Sequence, residues 1–345
     1  MKAVDLFSGC GGLTEGLKKA GFQVVAAVEL DCRAAAVYRE NHPEVNLIQG
    51  DIRSVDPRGL LRQVGLSRGQ VDLLAGCPPC QGFSRLRTRN SPRSAADRRN
   101  SLVGQFSRFV EAMRPRTIML ENVPALMGDW RFATLRARLR RLGYSVTASV
   151  LNAADYGVPQ RRKRFIMLAS RVHVPDVAPT MVRRRTVRDA IGRLPKLVQK
   201  DDLHGIPECR TAAVRDIIRR IPKNGGSRTD LGRRSQLACH RRTDGFKDVY
   251  GRMSWDDVAP TITSGCHNPS KGRFLHPSLN RNITLREAAM LQGFRASYRF
   301  NVDIGKEALA LMIGNALPPP FIAAQARALK RGINRSSRGR IRKVS

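Results

Sequence analysis

Acidic residues are scarce in this chain. Its 345 residues contain 28 Asp and Glu against 62 Lys and Arg, a formal net charge of +34 at neutral pH. Such a field attracts polyanions at long range, and contacts to phosphates are weakened by salt. The charge is spread over several loops rather than along one amphipathic helix, which favours nucleic acid over an anionic membrane surface. Alternatively, the positive charge reflects a proteome rich in arginine and indicates no binding partner.

Long apolar runs are also missing. No stretch approaches the roughly 20 apolar residues that a membrane helix needs. The N-terminal segment carries Asp5 where a signal peptide has its apolar core. We therefore expect a cytoplasmic protein without a membrane partner, long enough for one large domain and a smaller one.

The cysteines do not form an even set. Seven cysteines in a long chain without a leader favour reduced thiols. Cys77 and Cys80 form a single CxxC without a second pair, which argues against a zinc ribbon. A redox pair is an alternative, but the intervening Pro78-Pro79 does not suggest the helix start of a thioredoxin-like site. The six histidines match no metal spacing, so we predict no metal.

The order of segments predicts an α/β fold. Over residues 1–171, short β-rich runs alternate with helical stretches, which is typical of a doubly wound, mostly parallel sheet. Residues 172–283 show weak periodicity and scattered Pro, Gly and Arg, which predicts a smaller irregular domain. A capping box at Thr284 predicts the start of a helix, and we expect residues 284–330 to belong to the first domain again. The basic segment 331–345 is predicted to be a disordered arm.

Three successive strand ends carry polar or glycine-rich sequence. A turn of Ser8, Gly9, Cys10, Gly11 and Gly12 follows the first predicted strand, Glu29 ends the second, and Asp51 follows the third. Ligands of doubly wound sheets bind at the carboxyl ends of the strands. Taken singly, each acid is more often a surface residue. Together they favour a nucleoside site.

The next two strand ends carry groups suited to covalent chemistry. The fourth predicted strand leads into Pro78-Pro79-Cys80, where two prolines present a thiol rigidly, and a thiolate is a strong nucleophile. The fifth strand ends at Glu121. Further along the chain, Arg162 and Arg164 lie in a cluster of hydrogen-bond donors that is suited to binding phosphates and bases. Alone, the thiol fits a buried structural cysteine, and the basic cluster fits a solvated strand end.

These motifs occur in the order known from one enzyme family. DLFSGCGG, GD, PPCQGFS, ENV, QRRKRF, LREAAMLQGF and GNALPPP follow one another between residue 3 and about residue 330. The chain resembles bacterial DNA cytosine-5 methyltransferases, which have a Rossmann-like, S-adenosylmethionine-dependent fold. The departure is Arg295, which stands where the family usually has proline after the glycine and phenylalanine of the late helix.

The resemblance implies an S-adenosylmethionine pocket at the first three strand ends. Phe7 is expected beside the adenine, Glu29 at the ribose, Asp51 at the adenine amine, and Asn315 completing the pocket. The full set that we predict to bind the cofactor is Phe7, Ser8, Gly9, Gly11, Gly12, Glu29, Asp51, Ile52, Pro78 and Asn315.

The resemblance also implies the catalytic residues. Cys80 is expected to attack C6 of cytosine, Glu121 to hold N3 and the exocyclic amine, and Arg162 and Arg164 to hold the base and its phosphate. Such a base is out of reach inside a duplex, so it must be flipped out. The loop 85–99 is a candidate clamp over the flipped base or a solvated basic loop. Residues 172–283 lie where the family has its target-recognition domain.

Rival functions fit the sequence less well. An RNA cytosine-5 methyltransferase shares Cys80 and Glu121 but does not need the long region 172–283. An exocyclic-amine methyltransferase has an aromatic residue at the position of Cys80. A DNA-binding module without catalysis is expected to have lost Cys80, Glu121 or the cofactor pocket, and a redox protein leaves the later motifs unexplained. We expect double-stranded DNA as substrate, a monomer, and a cognate restriction endonuclease acting on the same site.

Overall fold

The chain divides into two compact units. We describe residues 1–79, 102–194, 203–232 and 248–341 of a computed structural model, with side chains up to residue 336. The first unit comprises Met1–Asn152, Lys163–Thr180 and Leu317–Ser345, and the second comprises Ala153–Arg162 and Met181–Ala316.

A seven-stranded sheet forms the centre of the first unit. Its strands are β1 (Lys2–Leu6), β2 (Gln23–Glu29), β3 (Asn46–Gln49), β4 (Leu73–Gly76), β5 (Thr117–Asn122), β6 (Ser145–Asn152) and β7 (Lys163–Ser170). The strand order is β3-β2-β1-β4-β5-β7-β6. The five strands from β3 to β5 pair in parallel, whereas β7 runs antiparallel to both β5 and β6. The predicted doubly wound, mostly parallel sheet is thereby confirmed.

Helices cover the sheet between its strands. They are α1 (Gly12–Lys19), α2 (Cys32–Asn41), α3 (Pro57–Gln63), α4 (Leu102–Met113) and α5 (Trp130–Arg141). The helices α2, α3 and α5 are capped at their starts by the side chains of Asp31, Asp56 and Asp129, which accept from free amides of the first turn. Phe106 and Phe109 of α4 are fully buried in the apolar core, where Phe165 of β7 also lies.

The last helix, α10 (Pro319–Ile341), packs against α1 in the same unit. A Cβ atom on Gly16 would lie 2.6 Å from the Cβ of Ile322, so only glycine permits this approach. Lys330 donates to the carbonyl of Gly21 at 2.8 Å, and Arg327 donates to that of Lys19 at 2.9 Å. Because a helix anchored at its start gains one hydrogen bond for each added residue, α10 continues through Ile341. The disorder expected of the arm 331–345 stays a prediction, and the described helix reaches Ile341.

The second unit is less regular. Its helices are α6 (Val187–Ile191), α7 (Ala212–Arg220), α8 (Leu285–Leu291) and α9 (Lys306–Asn315). The unit includes Ala153–Arg162 and runs from Met181 to Ala316, whereas the sequence suggested a domain over residues 172–283. Within the unit, α8 packs against α6 and α9. Arg252 is fully buried and donates to the carbonyls of Ile221 and His276, both at 3.0 Å, which ties three segments together.

One helical stretch, Lys306–Ser336, is long and apolar enough by composition to cross a membrane. Of its apolar window, 61% is buried within the protein. The stretch is also interrupted between the end of α9 at Asn315 and the start of α10 at Pro319. It therefore has the features of helices that pack in a protein's own core.

Candidate active site

The turn after β1 has a strained backbone. Phe7 lies in the left-handed region at φ 62°, and Gly9 and Gly11 follow at φ 55° and 93°. A left-handed conformation in a non-glycine residue costs on the order of 1–3 kcal/mol. The amide of Ser8 donates to the carbonyl of Val28 at 3.1 Å, which holds the turn to the end of β2. A Cβ atom on Gly9 would meet nothing within 4 Å, so the turn faces open space.

Glu29 connects the first two strand ends. Its Oε2 accepts from the amide of Gly9 at 2.7 Å, and its Oε1 accepts from the amide of Asp31 at 2.8 Å. Burial raises the pKa of this carboxyl above its ordinary value. Since a carboxylate has about four acceptor positions, Glu29 can hold the turn and still accept from ligand hydroxyls.

Asp51 follows β3 and pairs with its neighbour Arg53. The Nε of Arg53 lies 2.9 Å from Oδ2 of Asp51, and these hydrogen bonds lower the pKa of Asp51 to about 2. Exposed pairs of this kind contribute about 0–1 kcal/mol, so a ligand amine can compete for the carboxylate. Asp51 and Gly50 line a cavity of about 310 Å³, while Ile52 beside them is buried in the core.

Arg108 supports the turn after β3, a role that sequence reasoning missed. Its Nη2 donates to the carbonyl of Ile52 at 2.6 Å, and its Nη1 donates to that of Val55 at 3.1 Å. Arg108 lies in α4, far from any motif, and its only signal is a charged residue between Phe106 and Phe109. The turn that carries Asp51 is thus fixed by a helix that is more than fifty residues away in the sequence.

The ends of β4 and β5 meet at Glu121. The carboxylate is 1% exposed, and the thiol of Cys77 donates to its Oε2 at 2.8 Å. The next residue of β5, Asn122, donates through Nδ2 to the carbonyl of Pro78 at 3.0 Å, which fixes the start of the Pro-Pro segment. Cys80 and the loop 85–99 lie outside the described residues. The contribution of Cys77 was not expected, because its place in CxxC drew attention only to redox chemistry.

Arg164 of β7 brings a positive charge to the same carboxylate. Its Nε lies 3.0 Å from Oε1 of Glu121. The antiparallel pairing of β7 with β5 sets Asn122 opposite Phe165, and this register places the start of β7 beside the end of β5. The structure therefore brings Cys77, Glu121 and Arg164 together, and these side chains are all largely buried or half-buried.

Arg162 and Asn315 belong to the second unit. Arg162 is 3% exposed and donates to the carbonyls of Ile262 and Gly314, both at 2.9 Å. A Cβ atom on Gly314 would lie 2.3 Å from the amide nitrogen of Ser264, so glycine is required there. The guanidinium of Arg162 thus holds backbone within its unit, although the sequence suggested contact with a base or phosphate. Asn315 is exposed at the end of α9.

Comparison with known proteins decides the family. The model of the C-5 cytosine-specific DNA methylase family matches residues 1–331. The chain belongs to this family. The type II methylase M.HgiDII of Herpetosiphon aurantiacus is 35% identical, and the match covers 98% of each chain. The type II methyltransferase M1.HphI of Haemophilus parahaemolyticus is 33% identical over 94% of this chain and 86% of its own.

A solved structure supports the same assignment. The crystal structure of a DNA modification methyltransferase encoded within an E. coli prophage matches with a TM-score of 0.71 and 26% identity, covering 97% of this chain and 99% of that one. The chain is therefore a DNA cytosine-5 methyltransferase similar to the type II methylases of restriction-modification systems, and its substrate is DNA. In this DNA methyltransferase, the polar groups at the carboxyl edge of the sheet form the candidate active site.

Proposed function

We propose that this methyltransferase transfers a methyl group from S-adenosylmethionine to C5 of a cytosine flipped out of duplex DNA, through a Cys80 adduct at C6. The observation that carries the proposal is the buried Glu121, which lies near the end of β5 and is flanked by Arg164. The neighbouring strand β4 leads into the Pro-Pro-Cys80 segment. A buried carboxylate beside a guanidinium can bind the polar edge of a base in a water-poor site.

The first three strand ends suit the methyl donor. Open space over Gly9, together with the carboxylates of Glu29 and Asp51, provides acceptors for ribose hydroxyls and an adenine amine. The left-handed backbone of Phe7 sets an aromatic side chain at the same edge. We include Ser8, Gly11, Gly12, Ile52 and Pro78 in this pocket as its backbone frame, and we keep Asn315 as a proposed cofactor-binding residue. When bound, S-adenosylmethionine supplies an electrophilic methyl group.

The chain's own groups perform the remaining chemistry. The Cys80 thiolate forms a bond to C6, and the electron pair of the C5–C6 double bond becomes available at C5. Glu121 accepts from the exocyclic amine, while Arg164 stabilises negative charge that develops on the ring. After C5 has gained the methyl group, loss of its proton to a base restores the double bond and expels the thiolate. Arg162 fixes backbone within the second unit.

Target recognition is proposed for the irregular region 172–283. Arg183 and Arg184 in this region form ion pairs with Asp189 and Asp155, both partly exposed, so these cations are already neutralised. Arg219 on α7 also has an acidic neighbour, Asp216, but at 3.9 Å this is the longest of the three pairs, so Arg219 remains a candidate for phosphate contact. The arginine pairs at 233–234 and 241–242 lie outside the described residues. We propose that the enzyme acts as a cytoplasmic monomer beside a cognate restriction endonuclease, because flipping one base needs no symmetric partner.

Bisulfite sequencing tests this function. The chain is expressed in a host without cytosine methylation, together with Cys80→Ser and the matched control Cys209→Ser, which alters an exposed thiol. We expect protected cytosines in one short sequence context for the wild type and the control, and none for Cys80→Ser. Unmodified DNA from soluble wild-type protein would refute the proposal. Light scattering on the purified chain tests the monomer.

A further inference from the structure

A basic surface lies at the amino edge of the sheet, opposite the candidate active site. Lys2 begins β1, Arg116 precedes β5, and Arg171 follows the antiparallel β7, so all three lie at this edge. These residues line an open depression of about 790 Å³. Arg68 and Arg141 join them from the loop before β4 and the end of α5. We call Lys2, Arg68, Arg114, Arg116, Arg141 and Arg171 the amino-edge basic surface.

Carboxylates neutralise little of this charge. Among the residues that line the depression, Asp72 is the one acid, and it pairs with Arg116 at 3.0 Å. Arg171 is held by backbone instead: its Nε donates to the carbonyl of Pro115 at 3.1 Å and its Nη2 to that of Arg114 at 2.7 Å. A guanidinium has five N–H donors, so these two bonds orient the group while leaving donors for a ligand.

The last helix adds further charge near this edge. Lys330 of α10 donates to the carbonyls of Ala20 and Gly21, which lie just before β2 begins. Beyond Lys330 the helix carries the exposed Arg331 and Arg335. The basic C-terminal segment, which the proposed chemistry does not use, therefore continues the same surface.

The dimensions and chemistry of the surface fit a nucleic-acid backbone. From β1 to β6 the edge crosses four strand spacings, or roughly 19 Å at about 4.8 Å each. One DNA strand presents a phosphate about every 3.4 Å along the helix axis, so about five phosphates match this length. Tyr144, the aromatic residue at the edge, is buried and donates to the carbonyl of Pro115. Without an exposed ring, this part of the described structure offers no stacking platform for unpaired bases.

We propose that the amino-edge basic surface binds the phosphodiester backbone of a second duplex segment without reading its sequence. This proposal rests on the proposed function in one respect, which is that the target duplex occupies the carboxyl edge of the sheet. Duplex DNA has a persistence length of about 150 bp, so a single segment does not bend readily from the carboxyl edge of the sheet round to its amino edge. Separate segments therefore occupy the two edges, so that the enzyme holds one segment while it samples another.

A bridging assay with the full chain tests this. A biotinylated 16-bp duplex on beads is incubated with enzyme, and capture of a second, fluorescent 16-bp duplex of unrelated sequence is measured. The test variant is Arg68→Gln with Arg141→Gln, whose side chains are exposed at the amino edge. The matched control is Arg58→Gln with Arg136→Gln, which removes equal charge from exposed positions of α3 and α5.

We expect the test variant to capture at least fivefold less second duplex than wild type or control. The log–log salt slope of total duplex binding should fall by about 2, since each lost phosphate contact removes about 0.9. Unchanged capture by the test variant, or an equal loss in the control, overturns the proposal. Displacement of the second duplex by oligo-glutamate at equal charge concentration would instead assign the surface to an acidic protein. Bisulfite sequencing of the wild type reports separately on the proposed function.

Discussion

The thiol of Cys77 donates a hydrogen bond to Oε2 of Glu121 at a distance of 2.8 Å. The two residues are 44 positions apart. Cys77 directly follows β4, and Glu121 is the last residue but one of the neighbouring parallel strand β5. The first cysteine of the CxxC thus orients the carboxylate that we assign to base recognition. This geometry gives Cys77 a role distinct from that of a redox partner for Cys80.

Replacement of Cys77 by alanine should lower activity through Glu121. The variant leaves a buried carboxylate oxygen without a donor, which costs about 1–3 kcal/mol. We expect kcat to fall by about tenfold, or ~1.4 kcal/mol. Cys77→Ser keeps a donor and should stay within about threefold of wild type in steady-state methylation. Equal loss in both variants would show that the sulfur itself is required.

Replacement of Arg164 by glutamine should reduce the rate of chemistry. The variant removes the cation beside Glu121, and loss of one group that stabilises developing charge typically costs about 10²–10³ in kcat. KM for S-adenosylmethionine should change less than threefold, because the first three strand ends are untouched. Single-turnover methylation at saturating DNA measures the effect. A variant with normal single-turnover rate would remove Arg164 from the proposed chemistry.

Arg108→Met should weaken cofactor binding without touching the cofactor. The change removes two charged hydrogen bonds to the turn at Ile52 and Val55, each worth about 1.5–3 kcal/mol in favourable cases. We expect Kd for S-adenosylmethionine to rise by about tenfold, measured by calorimetry, with kcat restored at saturating cofactor. Arg136→Gln, on the exposed face of α5, serves as control. A fall in kcat that saturation does not restore would indicate general misfolding instead.

Asp5 should make stability depend on pH. It is fully buried in β1, accepts from the hydroxyl of Thr14 at 2.7 Å, and burial raises its pKa to about 8 from 3.8. A raised pKa in the folded state stabilises the fold fully below pH 3.8, and this contribution is lost as the pH rises through 8.

The variant Asp5→Asn removes this titration. Its free energy of unfolding relative to wild type should therefore increase steadily between pH 4 and pH 8, as measured by urea denaturation. A difference that stays constant over this range would mean that Asp5 remains ionised in the folded protein.

The strands were predictable from sequence because each signal is local. Short β-rich runs such as Gln23–Glu29 and Asn46–Gln49 end in turn residues, and the structure has both strands with these bounds. The capping box of Thr284 is likewise present. Such features depend on a few neighbouring residues, so one sequence suffices to find them.

Long-range partnerships could not be found in this way. Arg108 reaches across 56 positions to Ile52, and Arg162 reaches across 152 positions to Gly314. Nothing near either arginine indicates that its donors serve backbone carbonyls rather than solvent or ligand. The second unit has the same difficulty, since its weak periodicity concealed α7 and the buried Arg252. Its boundaries depend on how α6, α8 and α9 pack.

The packing of α10 on α1 has a consequence for the kinetics of folding. Gly16 and Ile322 are in close contact although some three hundred residues separate them, so this contact has a very high contact order. During synthesis, α1 and the turn that precedes it must wait for α10 to leave the ribosome before their packing is complete. At about 5–20 residues per second, that delay is on the order of fifteen seconds to a minute. Throughout that interval the nascent chain exposes the apolar face of α1, and chaperone binding should be concentrated there.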